Sequence, residues 1–304
     1  MDEQEVLGQH SDLVDRILQN LSHIQRLSWY PVIDKDETEE DVTNMLCTKF
    51  GGNKPFRPDN FVWPICDECN AHKAFVCQIN LGTLPPMMQD HCGLSSGLFQ
   101  VFYCLECMPL YCFKDVHIIK QSAFIPSLKS LAASVTVKQK NFVKTDLPQP
   151  LRNYVEDYTE DVPQHQVYGG DDLDTRIVDS WKPFKSSEIP LHCEIQADHQ
   201  RSIQQRTNLT ESQFDLFYRI SEDCQYEDKS VTFPNSGVKV GGYIRWCQDV
   251  EYPDCPDCKV SMRVSLLQME EHAGVYEFMW GDCGTAHVTL CPRCHRPALH
   301  WACS

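Results

Sequence analysis

Four Cys-x-x-Cys pairs carry the residue types and spacing that could do chemistry: Cys66 with Cys69, Cys104 with Cys107, Cys255 with Cys258, and Cys291 with Cys294. A Cys-x-x-Cys turn aims two thiolates at one point. Two such turns complete the four tetrahedral ligands of a structural zinc site, with Zn–S distances of ~2.3 Å. The pairs fall into two matched sets. The first follows Gly51-Gly52 and Trp63-Pro64 and encloses Gln78-Ile79; the second follows Gly241-Gly242 and Tyr252-Pro253 and encloses Gln268-Met269. There are 14 and 13 positions from the second glycine to the first cysteine, and 35 and 33 between the inner cysteines of each set. This register predicts an internal repeat and two zinc ions, one per copy. Closed four-thiolate shells leave no position for water, so the metals are expected to hold the fold rather than activate a nucleophile. The competing reading is of redox-active or buried free thiols, which four pairs in matched sets make the weaker one.

The compartment supports metal over disulfides. The first ten residues are polar and acidic and lack the basic and apolar regions of a secretory signal, and no apolar run approaches the ~20 residues of a membrane span. We therefore expect a cytoplasmic protein in a reducing space, where paired cysteines hold metal more often than they form disulfides. The nine other cysteines of the seventeen (Cys47, Cys77, Cys92, Cys112, Cys193, Cys224, Cys247, Cys283 and Cys303) have no matching partners. They read as core fillers, with Cys112 and Cys303 as substitute ligands and His295 and His300 as minor ones. The 43 acidic residues against 27 basic ones leave a formal charge of −16. That balance repels phosphate backbones and suits a basic protein partner, although it also serves solubility alone.

The elements that must position the cysteines follow from hydrophobic period. Leu13, Val14, Ile17, Leu18, Leu21 and Ile24 make the stripe of an amphipathic helix over 11–24. A second short helix is expected over 38–49, ended by Gly51-Gly52, and a third over 211–224, where Thr210-Glu-Ser-Gln is a capping box. Short β-rich runs are expected at 74–81, 98–104, 237–248, 260–269, 276–280 and 286–290. Residues 156–174 carry seven acids and no Lys or Arg, and read as a solvated loop.

At these residues the chain resembles the YwqG-like family of proteins of unknown function, which is related to the programmed cell death protein 2 family. The resemblance lies in Lys239-Val240-Gly241-Gly242-Tyr243, the Cys-Pro-Asp-Cys turn, Met262, Leu267-Gln268, the run from Trp280 through Asp282 and Cys283 to Ala286, and His300-Trp301-Ala302-Cys303. In the first half it lies in Phe50-Gly51-Gly52, Phe61-Val62-Trp63-Pro64 and Gln78-Ile79-Asn80-Leu81. It covers 49–121 and 181–303. It implies a fold more than a function; for the cell-death relatives it implies a dedicated chaperone of a small-subunit ribosomal protein.

No catalytic frame is legible. The Gly-Gly pairs lack the Lys-Ser/Thr of a phosphate loop and read as turns needing positive φ. There is no His-Glu-x-x-His, and the twelve histidines are scattered. The expected fold is α+β: two pseudo-repeated zinc-binding β-rich units forming one body, with peripheral helices. The expected division is 1–48 helical, 49–121 first repeat, 122–180 acidic insert, and 181–304 second repeat. Two separate domains are the alternative. A groove lined by Gly51, Gly52, Trp63, Gly241, Gly242, Tyr243 and Trp246, with Asp282 in a nearby turn, is the candidate partner surface. The functional expectation is a non-enzymatic protein-binding module, a chaperone or adaptor for a basic client. The alternatives are an immunity-type inhibitor of a toxin and an unrecognised hydrolase.

Overall fold

The computed structural model describes residues 11–33, 46–52, 55–58, 61–120, 176–196, 207–222, 231–271 and 278–303. The acidic run 156–174 and residues 38–45 of the expected second helix lie outside them; at the described end of that helix, Lys49 is strand. The fold is mostly β. Among the described residues the α-helices are α1 (Ser11–Asn20), α2 (Pro86–Cys92), α3 (His192–Gln196) and α4 (Glu211–Glu222). Eleven strands form one sheet, all of whose pairings are antiparallel.

The first half contributes β2 (Lys49–Phe50), β3 (Ala74–Asn80), β4 (Leu98–Tyr103) and β6 (Val116–Ile119), which lie side by side in that order. The second contributes β10 (Lys239–Gly241), β11 (Val264–Glu270), β12 (Thr285–Leu290) and β13 (Pro297–Ala302), again in chain order. Lys49 pairs with Gln78, and Lys239 with Gln268. Between the two groups run β1 (Ser28–Ile33), paired to β10, and β7 (Arg176–Pro183), paired to β2; β1 and β7 also pair with each other. The expected boundary between 180 and 181 falls inside β7. A separate parallel pair joins β8 (Ser187–Glu188) to β9 (Val231–Thr232).

At the far end β5 (Tyr111–Cys112) pairs with β13, although β6 begins only four residues after Cys112. Four residues reach at most ~14 Å, whereas eleven flat strands at ~4.8 Å would put the sheet's ends about 48 Å apart. The sheet is therefore curled until it nearly closes. Its trough is filled by Phe99, Val101 and Tyr103 from one half and Ala286, Val288 and Leu290 from the other. Tyr103 meets Trp280 with ring centroids 5.0 Å apart, so the halves share one core. Because strand side chains alternate, Gln100, Phe102, His287 and Thr289 face the other way and are also buried.

The outer face of the second half is covered by helices. Val14, Ile17 and Leu18 of α1 and Leu21 just after it are buried against Phe214 and Phe217 of α4 and against Ile244 and Trp246. This is the stripe expected over 11–24, each residue contributing about 1.5–3 kcal/mol by burial. The capping box is formed: Thr210 N donates to Gln213 Oε1 at 2.9 Å, and Gln213 N to Thr210 Oγ1 at 3.4 Å.

Several expectations needed correction. The expected α+β class gives way to a mostly β fold with few helices among the described residues, and the expected single body is one continuous sheet. Of 237–248 only Lys239–Gly241 is strand, because two left-handed glycines turn the chain immediately afterwards. Residues 278–280 are not strand. β1 escaped notice because Pro31 argues against a strand; its pairing to β10 stops at Trp29, so Pro31 lies where the strand is an edge and proline is tolerated.

Candidate metal centres

Each Cys-x-x-Cys pair sits on a tight turn closed by a backbone hydrogen bond to the first cysteine: Asn70 N to Cys66 O, Met108 N to Cys104 O, Lys259 N to Cys255 O and His295 N to Cys291 O, at 2.9–3.1 Å. The donor residue is left-handed in all four, at φ 60° (Asn70), 44° (Met108), 58° (Lys259) and 56° (His295). That conformation costs a side-chain-bearing residue about 1–2 kcal/mol, so all four turns keep a shape that their residues do not favour. In both halves the strand after the first turn is anchored alike, by Lys73 N to Pro64 O and Met262 N to Pro253 O at 2.9 Å.

The turns bring the eight predicted cysteines into two groups, Cys66, Cys69, Cys104, Cys107 and Cys255, Cys258, Cys291, Cys294, with sulfurs within 4.8 Å of one another. Cys66 Sγ lies 3.8 Å from Cys107 and Cys69 3.6 Å from Cys104. Cys255 lies 3.4 Å from Cys294, and Cys258 3.3 Å from Cys291 and 4.0 Å from Cys294. Disulfide sulfurs sit about 2.05 Å apart. A tetrahedral ion with ~2.3 Å bonds to sulfur places its ligands ~3.8 Å apart. Both groups therefore fit the shell of a tetrahedral metal ion.

Electrostatics point the same way. The Cys69 N–H, working against burial, holds the Cys66 thiol down at about 7. Burial opposes ionisation of Cys291, but the N–H groups of Cys294 and Arg293 bring it to about 6. The Cys107 thiol is pushed up, first by Cys69, because sulfurs crowded together cannot all ionise without a cation between them. The surroundings differ: beside the first group Lys73 and Asp115 make a buried ion pair, whereas Met262 packs against Cys255 and Cys291 at the second.

The alternative ligands lie elsewhere among the described residues. Cys112 is buried with its thiol on Pro109 O, Cys303 packs on Gly281, His295 faces Cys92 O at 3.0 Å, and His300 stacks on Trp246. Trp63 is half-buried and donates Nε1–H to Lys73 O, and Asp282 is exposed in a turn. Tyr243 and Trp246 are buried, with hydrogen bonds to Ile24 O and Glu194.

Gly51, Gly52, Gly241 and Gly242 all have positive φ, as expected of the two turns. At Gly242 the reason is specific, since an added Cβ would lie 2.2 Å from Glu188 Oε2. Glu188 was missed by sequence reasoning. Its fully buried carboxylate accepts from Ser28 Oγ (2.7 Å), Asn235 N (2.9 Å), Tyr243 N (2.7 Å) and Lys239 Nζ (2.7 and 2.8 Å). Lys239, equally buried, also donates to Tyr243 O at 2.7 Å.

A family model described as a domain of unknown function, DUF1963, matches residues 48–293. The chain belongs to the DUF1963 family. No curated protein matches it significantly. The DUF1963 match opens beside β2 and ends inside the fourth cysteine turn, so it takes in seven of the eight clustered cysteines and the Glu188 anchor. No described helix of this DUF1963 protein is long and apolar enough to cross a membrane.

The DUF1963 sheet also buries a pair of imidazoles. His287 and His300 face each other with ring centroids 5.4 Å apart beneath Trp246, and neither His287 nitrogen has a hydrogen-bond partner among the described residues. Burial pushes His300 down to about 4 and His287 well below its usual range. Both rings stay neutral while the unfolded chain, with histidines near 6.5, takes up protons. The stability is intact above about pH 6.5 and is lost as pH falls from there towards 4. At about 1.4 kcal/mol per pH unit, each ring withdraws up to ~2 kcal/mol by pH 5. The His287→Gln/His300→Gln variant should show a flatter fall in melting temperature than wild type between pH 6.5 and 5. Equal slopes would show that other groups titrate.

Proposed function

We propose that this protein is a zinc-stapled binding module built from two copies of one unit, and that it shields or delivers a basic client protein. The observation that carries this reading is the pair of closed four-thiolate groups. Such centres, filled by zinc, stabilise a surface and leave no coordination position for a substrate. The copies are supported by the parallel strand order, the Lys-to-Gln pairing and the four equivalent turns. The charge of −16 favours a basic partner.

The hydrolase reading gains little from the nucleophile and base that do meet. His192 Nδ1 lies 2.6 Å from Ser221 Oγ, but Ser221 is buried and donates its own proton to Tyr218 O at 3.0 Å. A serine so placed is held by the fold and is closed to substrate.

Affinity capture of the tagged full-length chain should bring down one basic protein reproducibly, while a broad esterase and peptidase screen stays silent. Turnover in that screen without a captured partner would refute the reading. With the client in hand, changing Asp171, Asp172 and Asp174 to Asn should slow association and flatten its salt dependence, because steering charges act mainly on the on-rate. Folding stability is expected to change by no more than ~0.5 kcal/mol. An unchanged on-rate at both low and high salt would leave the acidic run a solubility feature.

A further inference from the structure

A cavity of about 210 Å³ opens between α2 and the turn after β10, with Arg26, Trp29, Met87, Met88, His91 and Gly242 in its wall. Its one cation is fixed in place. The Arg26 backbone is bonded in both directions to Glu188, at 2.9 and 2.7 Å, and its guanidinium lies 4.1 Å over the Tyr243 ring. Tyr243 is in turn held by its hydroxyl on Ile24 O. Yet among the described residues the guanidinium has no hydrogen bond or ion pair, and Nη1 is buried without a partner. The carboxylate that it influences through space, Glu194, is already bound by Tyr252 Oη at 2.6 Å and Trp246 Nε1 at 2.7 Å.

Nη1 is sealed from the cavity, so a ligand would use the guanidinium's other donors, Nε and Nη2, which no described residue takes up and which lie side by side as a planar anion accepting two N–H bonds requires. The remaining groups narrow the class. Burial and the neighbouring Arg26 charge both disfavour a proton on His91, so Arg26 is the one cation among the lining residues. The adjacent Glu188–Lys239 pair is self-neutralising. A monoanion balances that charge, whereas a phosphate dianion would leave an excess negative charge in an already acidic protein. Trp29, Met87 and Met88 give the rest of the ligand an apolar bed, Met87 being 60% exposed at the rim. Sites for drug-sized ligands run to 300–1,000 Å³, so this one takes something smaller.

We propose that this cavity binds a small monocarboxylic acid with a compact apolar body, its carboxylate on Arg26 and its body against Trp29, Met87 and Met88. This site needs neither an open metal position nor a protein client. Calorimetric titration of the full chain with N-acetyl-L-leucine, against N-acetyl-L-leucinamide as the uncharged control, tests it. The acid should bind at least about ten-fold more tightly than the amide, and Arg26→Gln should remove that preference. Arg26 also packs on Tyr243, so Met87→Glu serves as a second variant: an exposed change that sets a like charge at the rim and should weaken the acid by a similar factor. The methionine methyl signals in a carbon-13 spectrum should shift at Met87 and Met88 on titration. Equal binding of acid and amide, no binding of the acid at millimolar concentration, or full affinity in both variants overturns the assignment.

Discussion

Cys255→Ser is expected to abolish soluble, cooperatively folding protein, whereas Cys283→Ser is expected to melt like wild type. Cys255 is fully buried within one four-sulfur group, while Cys283 is exposed in a turn outside both. Structural zinc sites bind with ~10–16 kcal/mol of apparent free energy, all of it folding energy where no site exists in the unfolded chain. Domains as a whole are stable by only about 5–15 kcal/mol, so a centre that loses one ligand removes a decisive share. Elemental analysis of wild type, purified without chelator, should find two zinc ions per chain. Less than one zinc, or a wild-type melt for Cys255→Ser, would show that these thiols are not ligands.

The second large effect is expected at Glu188. Glu188→Ala strands Lys239, a fully buried ammonium whose own pKa burial already pushes down, and unties Ser28, Asn235 and Tyr243 at once. Breaking one side of a buried pair typically costs about 3–5 kcal/mol, and urea unfolding of Glu188→Ala should show a loss in that range. Lys239→Met combined with Glu188→Leu should lose less than the sum of the single changes, because neither charge is then left alone. Gly242→Ala should mimic Glu188→Ala, since its methyl occupies the carboxylate's place. A loss under about 1 kcal/mol for Glu188→Ala would mean that water or a rearranged neighbour replaces the carboxylate.

The two four-cysteine groups are legible in the sequence, because Cys-x-x-Cys spacing encodes its own geometry. The turn at Gly241-Gly242 was legible in conformation but not in cause. That cause is Glu188, 53 positions earlier, in a stretch with neither period nor motif. The same holds for the sheet. β3 and β4 announce themselves as apolar runs because both their faces are covered. β1 and β7 pair with strands far away in sequence, and β7 reads exposed, buried, buried, exposed, which matches neither a strand nor a helix period. His287 and His300 looked scattered because they come together only when β12 is laid beside β13.

The place of β1 has a consequence for synthesis. Trp29 finds Val240 as a neighbour only after more than two hundred further residues have been made, and β7 must arrive in between. At 5–20 residues per second the ribosome needs roughly 10–40 s for that stretch. Until β7 and α4 have been made, the apolar face of α1 and both edges of β1 have no native cover, and the edge that β10 takes stays bare longest. A nascent chain in this state is open to capture by holding chaperones or by another copy of itself. Pauses placed before β10 should then lower the soluble yield far more than equal pauses placed after β13.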